Sequence, residues 1–68
     1  MGFRGRVKSY DQKTGVGSIA LDEREEEVWV DLHGSGGVRL SVDLEVRFQM
    51  IHRPDGIYAS GVQSINAT

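Results

Sequence analysis

The chain has 68 residues, ten acidic and eight basic, and a formal net charge of −2. A chain of this length buries only about 60% of the surface that its unfolded form exposes, which excludes a deep enzyme pocket inside a rigid shell. It contains no cysteine, so neither disulfides nor thiolate metal sites supplement the core. The negative net charge also disfavours strong non-specific attraction to nucleic acid.

Residues that could coordinate a metal or catalyse a reaction are few and lie far apart in the sequence. His33 and His52 fall in separate predicted loops without a third ligand, so we expect no metal site and no cofactor. No Ser-His-Asp or paired-carboxylate arrangement predicts an enzyme. No apolar run is long enough to span a membrane, and residues 1–9 lack the apolar centre of a signal peptide. We therefore expect a cytoplasmic, non-catalytic protein whose residues 1–68 form a single domain.

The first half of the chain alternates between apolar and polar residues with the period of a β-strand. In residues 3–10, FRGRVKSY, alternation predicts an outward face made of Arg4, Arg6, Lys8 and Tyr10. A polar turn follows and leads into residues 15–21, GVGSIAL, with Ser18 predicted outward. The two glycines of this segment fit a strand that coils sharply in a small barrel. Residues 22–27, DEREEE, are predicted to be a charged hairpin connection.

The second half continues the pattern after one long interruption. Residues 27–32, EVWVDL, predict a third strand with Trp29 outward, and a glycine-rich connection follows that either Leu40 or Val42 could anchor. Residues 44–51 and 57–65 predict two more strands, joined by the RPDG turn of residues 53–56. Closing five short strands on themselves removes the exposed edges, so we predict an all-β fold, a small five-stranded antiparallel closed barrel.

The order and spacing of these segments resemble the bacterial cold-shock domain, from Phe3 to about Ile65. That family is a five-stranded OB-fold barrel that binds single-stranded RNA and DNA. Its two nucleic-acid-binding motifs, commonly written KGFGFI and VFVHF, stand here as TGVGSI at residues 14–19 and VWVDL at residues 28–32. The positions that shape the barrel match the family: Gly15, Gly17, Ile19, Val28 and Val30.

The positions that contact ligand in the family match less well. Val16 and Ser18 stand where the first motif has two phenylalanines, and Asp31 stands where the second has histidine. Ser9 replaces the tryptophan of the first strand. Each base–aromatic stack contributes about 1–3 kcal/mol, so the loss of roughly three rings removes about 3–9 kcal/mol. Asp31 is expected to repel a nearby phosphate, and binding is expected to be weak and salt-sensitive.

The resemblance implies a site for single-stranded RNA or DNA on the outer surface of the barrel. Lys8, Tyr10 and Trp29 are its predicted core. Arg6 and Lys13 are expected to add positive charge, and Ser18 a hydrogen bond. Bases would stack on the exposed rings while cations follow the phosphates.

Two alternatives stay open. Trp29 can instead cover a barrel seam, flanked by the stems of long basic side chains, and the charges of the first strand can serve solubility alone. The second functional hypothesis is a protein-interaction barrel that has lost nucleic-acid binding, since a fold does not by itself determine a function. The acidic net charge and the substitutions Val16, Ser18 and Asp31 favour this second hypothesis.

Overall fold

The computed structural model describes residues 2–23 and 25–65, and its regular structure is five β-strands. They are β1 (Phe3–Tyr10), β2 (Gly17–Leu21), β3 (Glu27–Val30), β4 (Glu45–Arg53) and β5 (Gly56–Ser64). None of the described residues lies in a helix, so the described chain has no helix that could cross a membrane. The predicted all-β fold is confirmed; Arg24 of the predicted hairpin connection, together with residues 1 and 66–68, lies outside the described residues.

The strands form a closed barrel in the order β1-β2-β3-β5-β4, with β4 returning to pair with β1. Four of the five neighbouring pairs are antiparallel, whereas β3 and β5 run parallel and meet at Trp29 and Tyr58. The prediction of a purely antiparallel barrel was therefore wrong. In a closed ring with an odd number of strands, directions cannot alternate all the way round, so at least one pair must be parallel.

The core is built from the inward positions of the alternating strands. Six side chains are almost completely inaccessible: Val7, Ile19, Val28, Val30, Val46 and Phe48. Burying one such side chain contributes about 1.5–3 kcal/mol, so this apolar layer is the main source of stability. Leu40 is buried with the core and anchors the long β3–β4 connection, while Val42 is exposed.

A β-bulge interrupts β1 at Lys8. Val7 pairs with Ile19, and Ser9 pairs with Ser18, so β1 advances two residues where β2 advances one. The extra residue shifts the alternation of the strand from that point on. Lys8 and Ser9 are consecutive and both exposed.

Tyr10 changes face as a consequence of this bulge. It is half-buried, packs against the core and pairs with Gly17, and its hydroxyl is buried without a hydrogen-bond partner among the described residues. The prediction that Tyr10 lies on the outward face with Lys8 was therefore wrong. Strict alternation does not allow for the single inserted residue that turns this ring inward.

Gly17 permits the close approach of β2 to β1 just beyond the bulge. A Cβ atom at this position would overlap the carbonyl oxygen of Ser9 and would lie 2.9 Å from the Tyr10 ring. No larger residue fits there without moving the backbone of one strand. The interpretation of this glycine as a barrel-coiling residue agrees with the contact.

Candidate functional site

The exposed indole of Trp29 is the centre of an outward row that crosses four strands. Ser9 pairs with Ser18, Ser18 with Trp29, and Trp29 with Tyr58, in β1, β2, β3 and β5 respectively. Trp29 is 51% exposed, so its predicted outward orientation is confirmed. We call these four residues the Trp29 row.

Two serine hydroxyls occupy the end of the row on β1 and β2. The Oγ atoms of Ser9 and Ser18 lie 2.8 Å apart and share a hydrogen bond, and Ser18 is only 8% exposed. With Val28, Glu27 and the Trp29 indole, these serines line a shallow cleft. Small side chains thus leave an open space beside the indole, and the hydroxyl pair supplies a polar wall to it.

Two of the predicted cations are already paired with carboxylates. The Nζ atom of Lys8 lies 3.4 Å from Oε2 of Glu27, and Nη2 of Arg6 lies 3.0 Å from Oε1 of Glu45. All four side chains are largely exposed, so each pair contributes little to stability and can exchange its anion. Glu27 is two residues before Trp29 on the same face of β3. Its partner Lys8 therefore lies close to the Trp29 row.

The other two predicted site residues are not brought together with the row. Lys13 is exposed in the β1–β2 turn, where its backbone N–H donates to the Asp11 carboxylate over 2.8 Å. Tyr10 lies on the inner face, as described above. The structure thus groups Lys8, Ser18 and Trp29.

Tyr58 and Arg53 complete the other end of the row. The Arg53 guanidinium lies over the Tyr58 ring, 4.2 Å from its centroid, and the Tyr58 hydroxyl donates to Asp55 over 2.8 Å. This hydrogen bond raises the pKa of the Tyr58 hydroxyl above its usual value. Tyr58 was not among the predicted site residues. Its alternation with Ala59 in the sequence indicates an outward ring, but only the parallel pairing of β3 with β5 shows that this ring lies next to Trp29.

Asp31 holds Arg53 in this position. Its Oδ2 atom accepts a hydrogen bond from Nη1 of Arg53 over 2.8 Å, and its Oδ1 atom accepts one from the backbone N–H of Gly34 over 2.7 Å. The bond from Arg53, followed by that from Gly34, holds the pKa of the Asp31 carboxyl below its usual value. The expectation that Asp31 presents an unbalanced negative charge to a phosphate needs correction, because Arg53 balances it.

The Trp29 row combines an exposed aromatic ring with a cleft lined by hydroxyl groups. In residues 2–23 and 25–65, no three His, Asp or Glu side chains come close enough to share a metal ion. An exposed indole, an adjacent cleft and exchangeable cations are what stacking of a flat ring beside an anionic group requires.

Comparison with known proteins shows the family of the chain. No family model matches the chain. A protein of Mycobacterium tuberculosis (strain ATCC 25618 / H37Rv), named "Probable cold shock protein A", is 32% identical over 65 residues, which cover 91% of this chain and 97% of the relative. Identity at this level along nearly the whole of both chains, together with the five-stranded barrel, shows that the chain belongs to the cold-shock protein family.

Proposed function

We propose that this protein is a non-catalytic binding module for single-stranded RNA or DNA, and that a base stacks on Trp29. The observation that carries the proposal is the half-exposed indole beside an open cleft, together with the ion pair of Lys8 to Glu27, which lines that cleft. Membership in the cold-shock family supports a nucleic-acid partner. Ser18 and its partner Ser9 supply hydroxyls at the edge of the bound base.

The affinity is expected to be low. A single stacked base contributes about 1–3 kcal/mol, and the serines of the Trp29 row offer no further ring. Tyr58 offers a second, partly covered ring, since Arg53 already lies over one of its faces. A guanidinium plane is itself a surface on which a base can stack, so the Arg53–Tyr58 pair extends the platform.

A protein-interaction barrel is the second candidate. The observation that favours it is the pairing of Arg6, Lys8 and Arg53 with carboxylates of the same barrel. A phosphate must compete with each of these carboxylates before it gains a counter-charge. A neutral protein surface would not meet this competition.

The first experiment uses Trp29, since it is the only tryptophan in the chain. Its fluorescence is titrated with short single-stranded DNA and RNA at low salt and again near physiological salt. Saturable quenching that weakens as salt rises is the expected result, because bases stack on the indole while phosphates displace counterions. A flat signal from folded protein at low salt would contradict the proposal and favour the protein-interaction barrel.

A variant series locates the site, with anisotropy of a labelled oligonucleotide as the readout. Trp29→Ala is expected to weaken binding by about 5- to 150-fold, the equivalent of about 1–3 kcal/mol. Trp29→Phe is expected to recover most of this loss. Val38→Ala truncates a side chain that is 62% exposed in the long connection and is the matched control, with no expected effect.

A further inference from the structure

Two arginines lie opposite each other where β1 pairs with β4, at the edge of β1 that faces away from β2 and the Trp29 row. Arg4 of β1 and Arg47 of β4 are Cα partners in the antiparallel ladder, and both are exposed. Neither forms a salt bridge within residues 2–23 and 25–65. The aliphatic stem of Arg47 passes Gly2, where a Cβ atom would lie 3.4 Å from its Cγ. We call these two residues the arginine pair.

No carboxylate among the described residues forms an ion pair with either member of the arginine pair. Glu45 lies beside it, but its Oε1 atom already accepts a hydrogen bond from Arg6. On the far side, Arg47 pairs across β4 and β5 with the uncharged Gln63. Asp43 lines one depression next to the pair and Glu23 lines another, and neither carboxylate bonds to either guanidinium. Like charges directly opposite each other destabilise a sheet, so the pair carries a folding cost that an anion would relieve.

The outward face of β1 connects the arginine pair to the Trp29 row. Arg4, Arg6 and Lys8 follow one another at alternate positions, each about 7 Å from the next at the usual rise of a strand. Guanidinium groups bind phosphate through two parallel N–H donors, and two of them facing one depression can hold one phosphate group. A single strand that stacks on Trp29 can therefore continue along β1 with its phosphates over these cations.

We propose that the arginine pair binds the phosphate backbone of the same single-stranded nucleic acid, at a point remote from the base that stacks on Trp29. This inference rests on the proposed function, since it extends the path of that ligand. Continuity along β1 favours nucleic acid over an acidic protein segment, which would have no reason to reach the Trp29 row. The protein is then expected to bind a longer single strand more tightly than a short one.

The test compares two single-stranded oligonucleotides, one of about four and one of about twelve nucleotides, within the range of about 4–16 nucleotides that OB folds cover. The parent is expected to bind the longer one more tightly and with a steeper salt dependence. Arg47→Gln is expected to reduce the slope of log K against log salt by about 0.7 for the longer oligonucleotide and to leave the shorter one unchanged. Arg4→Gln should behave in the same way.

Arg39→Gln is the matched control, since Arg39 is an exposed arginine of the long connection whose Nε donates to the Gln12 carbonyl. It makes the same change of charge, so any effect should be equal for both lengths.

A second readout is folding: Arg47→Glu is expected to raise the melting temperature of the unbound protein, because it places opposite charges across β1 and β4.

The outcomes separate the two proposals. If the parent binds both oligonucleotides equally, or Arg47→Gln weakens both lengths equally, the arginine pair is not part of the path and only this inference fails. If the parent binds neither oligonucleotide at low salt, the proposed function and this inference both fail. If Arg47→Gln lowers the salt slope and the affinity for the longer strand and leaves the shorter one unchanged, both proposals are supported.

Discussion

Lys8 and Glu27 are joined across β1, β2 and β3 by an exposed ion pair of 3.4 Å, at the edge of the cleft beside Trp29. Lys8, the cation proposed to bind a phosphate, is thus already paired with a carboxylate. If the proposed function is right, Glu27 competes with the phosphate of the ligand for Lys8.

Glu27→Gln is accordingly expected to tighten binding of a short single-stranded oligonucleotide. Removing the competing carboxylate releases Lys8, and an exposed pair of this kind is worth about 0.2–1 kcal/mol, so the gain is about 1.5- to 5-fold. Anisotropy titration at low salt measures it. Glu25→Gln removes the same charge from the neighbouring connection and is the control; an equal gain in both variants would show a general charge effect instead.

Asp31 is expected to make folding more stable above about pH 4 than below it. Its pKa in the folded state lies below the unfolded value of about 3.9, since the ionised carboxyl accepts bonds from Arg53 and Gly34. The contribution is therefore present above the unfolded pKa and is lost as the pH falls through the folded pKa. Urea unfolding of the parent and of Asp31→Asn measures it.

The difference in unfolding free energy between these two proteins should be largest near pH 7 and shrink below pH about 4. Asn keeps an oxygen for the Gly34 N–H, so the variant isolates the charge. Asp22→Asn is the control, because its exposed side chain makes no hydrogen bond to any described residue. A difference between parent and Asp31→Asn that is constant from pH 7 to pH 2 would contradict the assignment.

Gly17→Ala is expected to destabilise the barrel by about 1–3 kcal/mol or more, as overpacking does. The added methyl group meets the Ser9 carbonyl oxygen and the Tyr10 ring, neither of which can move without shifting β1. Thermal unfolding measures the loss. Gly2→Ala is the control, since its methyl group would lie 3.4 Å from the flexible stem of Arg47 and 3.9 Å from the Phe48 carbonyl oxygen, without overlap. Equal stability of both variants would show that β1 and β2 separate easily.

Tyr10→Phe is expected to leave stability unchanged or to raise it by about 1 kcal/mol. The hydroxyl is buried and has no partner among the described residues, and a buried unpaired polar group costs about 1–3 kcal/mol. The ring keeps its contacts with the core. Chemical denaturation measures the change, and a loss above about 1 kcal/mol would show that the hydroxyl is satisfied.

Local patterns predicted the strands and most of their faces. The inward positions of Val7, Ile19, Val28 and Val46 followed from alternation, and the outward position of Trp29 followed from the same rule. Alternation depends only on the geometry of one strand, so it succeeds wherever that strand is regular. The spacing of the glycine and valine motifs was enough to indicate the family, and the relative agrees with it.

The partners of Trp29 were decided by the tertiary structure alone. One inserted residue in β1 turned Tyr10 into the core and brought the Ser9 and Ser18 hydroxyls together. The parallel pairing of β3 with β5 placed Tyr58 next to Trp29, although the two residues are far apart in the chain. The ion pairs of Lys8 and Arg53 likewise join residues far apart in the chain. Such contacts depend on barrel closure and strand register, whereas a sequence pattern records only the period of each strand by itself.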